Sequence, residues 1–510
     1  MSKHDDRPVL VVGAGPVGLT AAAELARRGV PVRLVDKAAG PSPLTKALMV
    51  WPRTLEVFRG LGAAAYIDKH GLPVHSFRYN SGTDPICDIV FGDRTRPMVI
   101  VQPDVEELLR EALERDGGTV EWRTELTRLS QDPDGVLATL RGPDGAETTG
   151  EFAYVVGGDG ASSTVRKAIG VQFTGATYPN LFILADTALD GDLQRDAVHY
   201  YCTENGIMVL VPLHNGRFRV FTAGPPGMKP KDLTPEVLQD FVDKRGPGGL
   251  RLYDISWQTT FSIHARHAER FRAGRVFLAG DAAHIHSPAG GQGLNTGVTD
   301  AHNLAWKLAL VHRGAAAPVL LDSYGSERAA VARAVVKQAE VQTKAWMLDK
   351  RWQIMLRDVS ARLAERTGLF DRFYSPWLAG LTNHYPAGPA VDDSPGGRPS
   401  RFRQRNGHLL ADPATRESLP VDRYTLLVTL PASGARPAAL AELQSAYGEL
   451  VRVRTTRGRR FSAVLVRPDH YIAAQDSAPD LGLVHRHLAS LAAPAVPARR
   501  EDLVGEGHSA

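Results

Sequence analysis

Cysteine is scarce in this chain of 510 residues, which contains only Cys87 and Cys202. The two lie far apart and form no Cys-x-x-Cys pair, so the sequence argues against a disulfide framework, a cysteine zinc site and a dithiol redox centre. No other arrangement of residues indicates a metal ion, and we predict no metal site. We expect a reducing compartment, because disulfides form and persist in oxidising ones.

The chain also lacks long apolar runs and clusters of like charge. No stretch approaches the roughly 20 apolar residues of a membrane span, and the charged N-terminus offers no signal region. The net charge is +4, with basic and acidic residues interspersed, whereas nucleic-acid binding needs a clustered basic face. We therefore expect a cytoplasmic protein with neither a membrane nor a nucleic-acid partner.

The first 35 residues have the pattern of a strand, a helix and a second strand. Val9–Val12 and Val32–Val35 are short β-branched runs, and Leu19–Arg28 is rich in alanine and leucine. A βαβ unit of this size places its strands in parallel and predicts an α/β fold with a doubly wound, Rossmann-like sheet. Since 510 residues exceed one compact core, we expect two or three lobes.

The pattern changes after residue 180. Short strands such as Gly206–Leu213 and Arg217–Ala223, joined by an Asn-Gly turn, predict an inserted antiparallel sheet. Val298–Arg313 and Tyr324–Trp352 have helical periodicity and predict a layer of helices. A Pro, Gly and Asp-rich linker around Tyr385–Pro399 then precedes a smaller C-terminal domain.

The turn between the first strand and helix carries the strongest motif. Gly13, Gly15 and Gly18 form G-x-G-x-x-G, which lets a pyrophosphate approach the positive end of a helix. Asp36 ends the second strand, where a carboxylate accepts hydrogen bonds from ribose hydroxyls. The motif in this context predicts dinucleotide binding, although it does not separate FAD from NAD.

Two further motifs follow in the chain. Asp159 lies in a Gly-Gly-Asp-Gly turn followed by Arg166, and Asp281 ends a buried strand shortly before the loop Gly290–Asn295. With these motifs in this order, roughly the first 380 residues resemble the class A flavoprotein monooxygenases, which have the para-hydroxybenzoate hydroxylase fold. The likeness is to the three-domain phenol hydroxylase and polyketide aromatic hydroxylase type.

The resemblance implies that the dinucleotide is FAD. Asp281 would bind its ribityl chain, Pro288 would line the flavin, and the backbone of Gly293–Asn295 would lie at its N1 edge, where a helix N-terminus stabilises negative charge. The predicted cofactor residues are Gly13, Gly15, Pro16, Val17, Gly18, Asp36, Lys37, Lys46, Arg53, Gln102, Asp159, Asp281, Pro288, Gly291, Gly293, Leu294 and Asn295. Asp36 and Lys46 depart from the Glu and Arg that are usual in relatives.

The resemblance also implies three domains. The FAD-binding domain with its helical layer would comprise residues 1–75, 100–178 and 270–390. A substrate-binding β-sheet domain would comprise 76–99 and 179–269. Residues 394–510 would form a thioredoxin-like domain, and without a cysteine it cannot perform thiol exchange. A homodimer is the assembly that relatives favour.

The implied reaction uses NADPH or NADH to reduce the flavin, and O2 to form a C4a-hydroperoxide that hydroxylates a small aromatic or polyketide substrate. The inserted sheet would supply the substrate site. We predict that Tyr200, Tyr201, Met208, Trp257 and Phe261 contact the substrate and that Pro288, His199 and Tyr201 assist catalysis. His284 and His286 are interpreted as structural.

Several alternatives are weighed against hydroxylation. Baeyer-Villiger oxygenation or epoxidation could use the same scaffold. A disulfide reductase would need a redox cysteine pair, a halogenase would need a Trp-x-Trp-x-Ile-Pro stretch, and the sequence contains neither. A flavin-binding sensor without catalysis is the alternative from another functional class, and flavin absorbance with substrate-stimulated NAD(P)H consumption separates the classes.

Overall fold

The computed structural model describes residues 5–43, 45, 47–225, 227–393, 404–432 and 435–493. A six-stranded sheet, called here the parallel sheet, organises the N-terminal half of the fold. Its strands are parallel except for one short antiparallel edge strand. In spatial order they are Arg272–Ala273, Val276–Leu278, Tyr154–Gly157, Val9–Val12, Val32–Asp36 and Val120–Trp122.

Helices cover the parallel sheet, which explains why its central strand is buried at every residue. Helix Pro16–Ala26 packs closely on helix Gly293–His312, because both present small residues at the crossing. A Cβ added at Gly297 would lie 2.6 Å from Val17. The helices of this layer are Pro16–Ala26, Pro52–Gly60, Ala64–His70, Gln102–Arg115, Thr164–Ala168, Gly293–His312 and Asp322–Trp346.

Two small three-stranded sheets extend this part of the fold. One has Val136–Arg141 between Glu125–Gln131 and Glu147–Phe152, and the other has Met98–Val99 between Met49–Val50 and Leu72–Pro73. Short 3-10 segments lie at Gly280–Ala282 and Ala289–Gly291, and the second comes directly before helix Gly293–His312. Others lie at His214–Gly216, Pro230–Asp232 and Pro318–Leu321.

An eight-stranded sheet, called here the large sheet, follows the predicted change of pattern. Its strands are antiparallel except for one parallel pair. Helix Pro235–Arg245 packs on one face, and the opposite face borders a large cavity. In spatial order its strands are His284–Ile285, Arg251–Ala268, Phe173–Asp190, Arg217–Ala223, Gly206–Pro212, Ala197–Thr203, Ser76–Ser81 and Asp84–Val90.

The helical segment predicted over Tyr324–Trp352 is interrupted. Helix Asp322–Trp346 ends at Trp346, and a separate helix, Arg351–Arg366, packs on the edge strand Asp84–Val90 of the large sheet. A π-helical turn, Phe370–Tyr374, and a short helix, Ser375–Leu378, follow it. No helix among the described residues is long and apolar enough to cross a membrane.

The C-terminal part contains a four-stranded sheet. Its first two strands are parallel and joined by a helix, and the next two are antiparallel. In spatial order the strands are Val451–Gly458, Tyr424–Pro431, Ser462–Val466 and Ile472–Asp476, and the helices are Pro413–Ser418, Ala438–Tyr447 and Gly482–Leu491. The start of the predicted C-terminal domain, residues 394–403, lies outside the described residues.

Candidate active site

A cavity of about 900 Å3 lies between the parallel sheet and the large sheet. Its walls combine the glycine turn, the loop before helix Gly293–His312 and one face of the large sheet. The predicted residues that line it are Gly13, Gly15, Pro16, Val17, Asp36, Lys37, Gln102, Asp159, Asp281, Pro288, Gly291, Gly293, Leu294, Tyr200, Trp257 and Phe261. Residues far apart in sequence are thus brought to one site.

The three glycines of the first motif serve different purposes. Gly13 has φ +100°, and a Cβ there would lie 2.5 Å from the carbonyl oxygen of Gly158. A Cβ on Gly18 would lie 1.7 Å from the carbonyl oxygen of Gly13. Gly15, in contrast, has no atom within 4 Å of an added Cβ and lines the cavity. Gly13 and Gly18 therefore permit close backbone packing, whereas Gly15 leaves space for a ligand.

Two helices begin at the cavity, so their positive N-termini border it. Helix Pro16–Ala26 and helix Gly293–His312 both begin without a side-chain cap and without an acidic residue in the first turn. Gly15, Gly293 and Leu294 line the cavity. The unsatisfied N–H groups and the dipole of such helix ends favour an anionic ligand group, so the cavity offers two separate places for negative charge.

Asp36 is fixed at the carboxyl end of its strand. Its Oδ2 accepts a hydrogen bond from the backbone N–H of Ala14 at 2.7 Å, and its Oδ1 accepts one from Ala38 at 2.8 Å. Each oxygen has a further lone pair. The carboxylate therefore borders the cavity in a defined orientation and can accept a hydroxyl of a bound ribose.

The Asp159 turn is held against the Asp281 turn. Asp159 Oδ2 accepts from the N–H groups of Thr164 at 2.7 Å and Val165 at 3.1 Å. Arg166 donates to the carbonyl oxygens of Ala282 and Ala161, at 2.9 and 2.7 Å, and so links the two turns. Asp159 lines the cavity, and its buried Oδ1 has no hydrogen-bond partner within the described parts of the chain.

Asp300 supports the Asp281 turn from below. It is buried and accepts hydrogen bonds from the Gly280 N–H at 3.0 Å, His284 Nε2 at 2.8 Å and Arg328 Nε at 2.6 Å. Burial would raise the pKa of Asp300, but the charges of Arg328 and His284 outweigh it and lower that pKa. The ionised carboxylate thus orders the segment that presents Asp281 to the cavity, and His284 has a structural partner.

Together these observations fit a dinucleotide cofactor. Uncapped helix ends can receive anionic groups, and Gly15 leaves open space. Beside the cavity, one carboxylate oxygen of Asp159 has no hydrogen-bond partner among the residues that the structure describes. The cavity volume of about 900 Å3 lies near the upper end of ordinary ligand pockets, which are roughly 300–1,000 Å3. The residues present are therefore compatible with FAD.

Of the predicted cofactor residues that the structure describes, three do not line the cavity. Gly18 lies beneath the turn, and Lys46 is outside the described residues. The assignment of Arg53 is corrected: it is buried elsewhere, where Nη1 binds Glu56 at 2.7 Å and Nη2 binds the carbonyl oxygen of Asp469 at 2.7 Å. Asn295 also contacts protein groups instead of the cavity.

The side chain of Asn295 holds the loop before its helix in place. Its Oδ1 accepts from the Trp51 N–H at 2.8 Å, and its Nδ2 donates to the carbonyl oxygens of Met49 at 2.8 Å and Gly291 at 2.7 Å. Gln102 has a related role, since its Oε1 accepts from the Ala47 N–H at 3.3 Å. Asn295 is therefore a positioning residue for the Pro288–Leu294 loop.

Strand alternation divides the predicted substrate residues. Tyr200 faces the cavity, and its ring stacks on Tyr79 with centroids 4.4 Å apart. His199 and Tyr201, its neighbours in the strand, fall on the other face. Tyr201 packs with Met208 beneath helix Pro235–Arg245, and His199 Nε2 binds the carbonyl oxygen of Gln194 at 2.8 Å. The assignments of His199, Tyr201 and Met208 to the active site are thus corrected.

His286 borders the cavity beside Pro288. Its Nδ1 lies 2.7 Å from the carbonyl oxygen of Ser287, an acceptor, so Nδ1 carries the ring proton. Burial, with the neighbouring His284, lowers the pKa of His286 to about 4. At neutral pH the imidazole is therefore uncharged, with Nε2 as an unprotonated acceptor.

Several cavity residues were missed by the sequence analysis. On the large sheet they are Leu184, Val198, Val209, Val211, Arg219, Phe221 and Thr259, and elsewhere they include Met49, Thr124, Glu125 and Trp346. Alternation from Tyr200 or Phe261 would have found some of them, had the strand register been known. Thr124 and Glu125 follow no motif. Among the described residues, no cluster of His, Cys, Asp or Glu could hold a metal ion.

Comparison with known proteins identifies the class. The family described as the FAD binding domain matches residues 6–339, and the chain belongs to this family. Together with its named relatives, this match makes the protein a flavoprotein monooxygenase, as the sequence motifs predicted. The mixed α/β architecture with several sheets is likewise similar to that of solved flavin monooxygenases.

Three similar proteins illustrate the likeness. The 6-methylpretetramide 4-monooxygenase of Streptomyces rimosus is 35% identical over 88% of this chain and 83% of its own. The 12-dehydrotetracycline 5-monooxygenase/anhydrotetracycline 6-monooxygenase of Streptomyces rimosus subsp. rimosus is 31% identical over 93% and 96%. The structure of aklavinone-11 hydroxylase with FAD and aklavinone has a TM-score of 0.75 and 26% identity, covering 95% and 99%.

Proposed function

We propose that this protein is an FAD-dependent monooxygenase that consumes NADPH or NADH and O2 and hydroxylates a phenolic or polyketide aromatic ring. The observation that carries the proposal is the continuous cavity of about 900 Å3, in which dinucleotide-binding motifs face an apolar sheet surface. Similar proteins named as monooxygenases of 6-methylpretetramide and of anhydrotetracycline, and one solved with FAD and aklavinone, support this substrate class.

The proposed roles follow from the geometry of the residues. The N-terminus of helix Pro16–Ala26 would hold the pyrophosphate of FAD, Asp36 the ribose, and Asp281 the ribityl chain. The N-terminus of helix Gly293–His312, beside Pro288, would stabilise negative charge on the flavin ring. FAD, when bound, supplies the activation of oxygen and its transfer to the substrate.

The large sheet would orient the substrate and exclude water from it. Its cavity face is mostly apolar, with Val209, Val211, Phe221 and Phe261 among the lining residues. Tyr200 adds a hydroxyl group, and burial raises its pKa well above 10, so it stays protonated at neutral pH. Tyr200 could therefore donate a hydrogen bond but could not act as a base.

His286 is the group best suited to accept a hydrogen bond from the substrate near Pro288. Its neutral imidazole offers an unprotonated Nε2, which is buried and has no hydrogen-bond partner among the described residues. A phenol hydroxyl of the substrate could donate to this nitrogen, and the ring would thereby become more electron-rich. No protein nucleophile is required for this reaction.

We also propose that the C-terminal sheet and its helices form a thioredoxin-like domain. Its βαβ unit followed by an antiparallel pair and a helix supports that assignment. The three-domain division given in the sequence analysis, a homodimeric assembly and a cytoplasmic location are likewise proposed. Analytical ultracentrifugation of the purified protein tests the dimer directly.

The central experiment measures flavin and turnover together. We expect purified protein to show flavin absorbance, and a panel of phenols and polyketides to contain compounds that stimulate NADPH and O2 consumption. The product should gain one oxygen by mass, and NMR should locate it as a ring hydroxyl. A colourless protein that takes up no FAD on reconstitution would contradict the proposal. A product in which the oxygen has been inserted into the ring would show Baeyer-Villiger oxygenation in place of hydroxylation.

A further inference from the structure

A buried ion pair interrupts the apolar face of the large sheet. Arg219 and Asp186 lie opposite each other on neighbouring strands. The guanidinium Nε and Nη2 donate to the two carboxylate oxygens at 2.6 and 2.7 Å, and Arg219 is only 2% exposed. This bidentate contact fixes the orientation of the guanidinium plane.

One nitrogen of this guanidinium makes no contact with Asp186. Arg219 lines the cavity, and its buried Nη1 has no hydrogen-bond partner in the described part of the chain. Buried donors are nearly always paired in native proteins, and an exception calls for an explanation. Because Arg219 borders the cavity, a ligand oxygen is the natural acceptor.

The surroundings of Arg219 favour an aromatic ligand. Asp186 has Arg219 on one neighbouring strand and Trp257 on the other, strand Arg251–Ala268. The guanidinium carbon of Arg219 is 5.2 Å from the centroid of the Trp257 ring. Trp257 and Phe221 both line the cavity. Flat aromatic walls beside a fixed donor suit a planar ring system that carries an oxygen at its edge.

The position of the pair favours a ligand with several rings. Strand Arg251–Ala268 meets Ile285, near Pro288, at Arg266, whereas Trp257 lies nine residues away along the same strand. At about 3.3 Å per residue, this separation is roughly 30 Å along the strand. A single phenol ring covers only a small part of this distance, whereas a fused polycyclic molecule covers more of it.

Because the Arg219–Asp186 pair has no net charge, it favours an uncharged oxygen on the ligand over a carboxylate. Asp186 already neutralises Arg219, and Arg219 is the one permanently charged side chain among the described large-sheet residues that line the cavity. A buried carboxylate on the ligand would therefore lack a countercharge, which is costly. A neutral carbonyl oxygen needs no countercharge and can accept a hydrogen bond from Nη1.

We propose that Arg219, fixed by Asp186, determines substrate specificity by donating a hydrogen bond from Nη1 to a keto oxygen of a polycyclic aromatic substrate. This inference deepens the proposed function and rests on it for the identity of the cavity as a substrate site. Asp186 acts through Arg219 and is a positioning residue.

The test uses FAD-loaded protein and 1,8-dihydroxyanthraquinone as the probe, with binding followed by quenching of protein fluorescence in the absence of NADPH. Arg219→Met alone would leave Asp186 as an unpaired buried charge, so the main variant is the double change Asp186→Leu with Arg219→Met, which removes both charges. We expect its Kd for the quinone to rise at least about tenfold, as loss of a charge-assisted hydrogen bond predicts.

Arg217→Met is the matched control. Arg217 lies on the same strand and pairs with the exposed Asp254; Arg217 itself is half-buried, and neither residue lines the cavity. Its quinone Kd should stay within about twofold of wild type, which a tenfold hydrogen-bond effect exceeds. Unchanged FAD content and melting temperature show that each variant is folded. Quinone binding by the double variant that equals wild type, or no quinone binding by wild type, overturns the proposal.

Asp186→Asn tests the role of charge separately. This variant leaves Arg219 with an uncompensated positive charge, so anthracene-2-carboxylate should bind at least about tenfold more tightly than it does to wild type, while quinone binding changes much less. No gain for the carboxylate would overturn the argument from neutralisation. Because binding is measured without turnover, a protein that binds the quinone through Arg219 but never oxygenates a substrate contradicts only the proposed function.

Discussion

Gly15 and Gly18 stand three residues apart in one turn, yet a side chain would meet different surroundings at each. A Cβ on Gly18 would overlap the backbone of Gly13, whereas one on Gly15 would enter open space at the cavity. We expect Gly15→Val to give a folded protein that retains less than about a tenth of the FAD of wild type, because its side chain would occupy the proposed pyrophosphate position. Flavin absorbance per protein measures this loss.

Two further variants make the test specific. Gly92→Val is the matched control, since Gly92 also has open space around its Cβ but does not line the cavity, and it should keep its flavin. Gly18→Val should instead lower thermal stability and soluble yield, because backbone must move to admit it. Stoichiometric FAD in the Gly15→Val protein would show that the adenine half binds elsewhere.

The residues of the glycine turn and Asp36 could be predicted because their chemistry is set by local spacing. Arg53 shows where such reasoning fails. Its motif lies in a helix beside the cofactor region, but its side chain turns to Glu56 and to the backbone of Asp469, which is 416 residues away. A contact of that kind depends on how distant segments pack, and no local pattern contains it.

At the scale of the element, the strand register decides which side chains reach the cavity. The sequence indicated a strand through Tyr200 and Tyr201. It did not show which face of this strand borders the cavity, since both faces carry apolar and aromatic residues. Helix Pro235–Arg245 covers the face that carries Tyr201 and Met208, and Tyr200, on the opposite face, lines the cavity. A one-residue change in register exchanges the two faces, which explains why Tyr201 and Met208, two of the five predicted substrate residues, were misplaced.

The same alternation gives a matched pair in strand Arg217–Ala223. Phe221 lines the cavity, and Phe218 packs in the core beneath helix Pro235–Arg245. We expect Phe221→Leu to change the ratio of kcat/KM between a small phenol and a polycyclic substrate by about tenfold, because it reshapes the pocket wall. Phe218→Leu should lower the melting temperature and leave this ratio unchanged. Equal effects of the two substitutions on the ratio would contradict the assignment of faces.

At the scale of the whole molecule, a buried network of charges joins the C-terminal sheet to the helices behind the cavity. Arg467 donates to both oxygens of Glu327 at 2.7 and 2.8 Å and to Asp469 at 2.9 and 2.7 Å. Lys307 and Asn303 bind Glu327 from helix Gly293–His312. Glu327 and Asn303 lie more than 100 residues before Arg467 and Asp469, so these contacts could not be predicted from the sequence.

This network predicts that the C-terminal sheet and the helices behind the cavity lose stability together. Arg467→Met leaves Glu327 and Asp469 short of a countercharge in the interior, so we expect it to destabilise the protein by about 3–5 kcal/mol, measured by urea unfolding. Arg454→Met is the control: it lies in the same sheet, is only half-buried and contacts Ser418 at 3.5 Å, and should change stability by less than about 0.5 kcal/mol.

The dependence of this stability on pH follows from the same carboxylates. Burial would raise the pKa values of Glu327 and Asp469, but the charge of Arg467 outweighs it and lowers both. Folding therefore favours their ionised forms, and this contribution is present at neutral pH and is lost as pH falls through the ordinary values of 4.5 and 3.8 and below. The wild type should lose more stability between pH 7 and pH 4 than Arg467→Met does, since the variant lacks the charge that lowers these pKa values. Equal losses in the two proteins would show that other carboxylates govern the acid response.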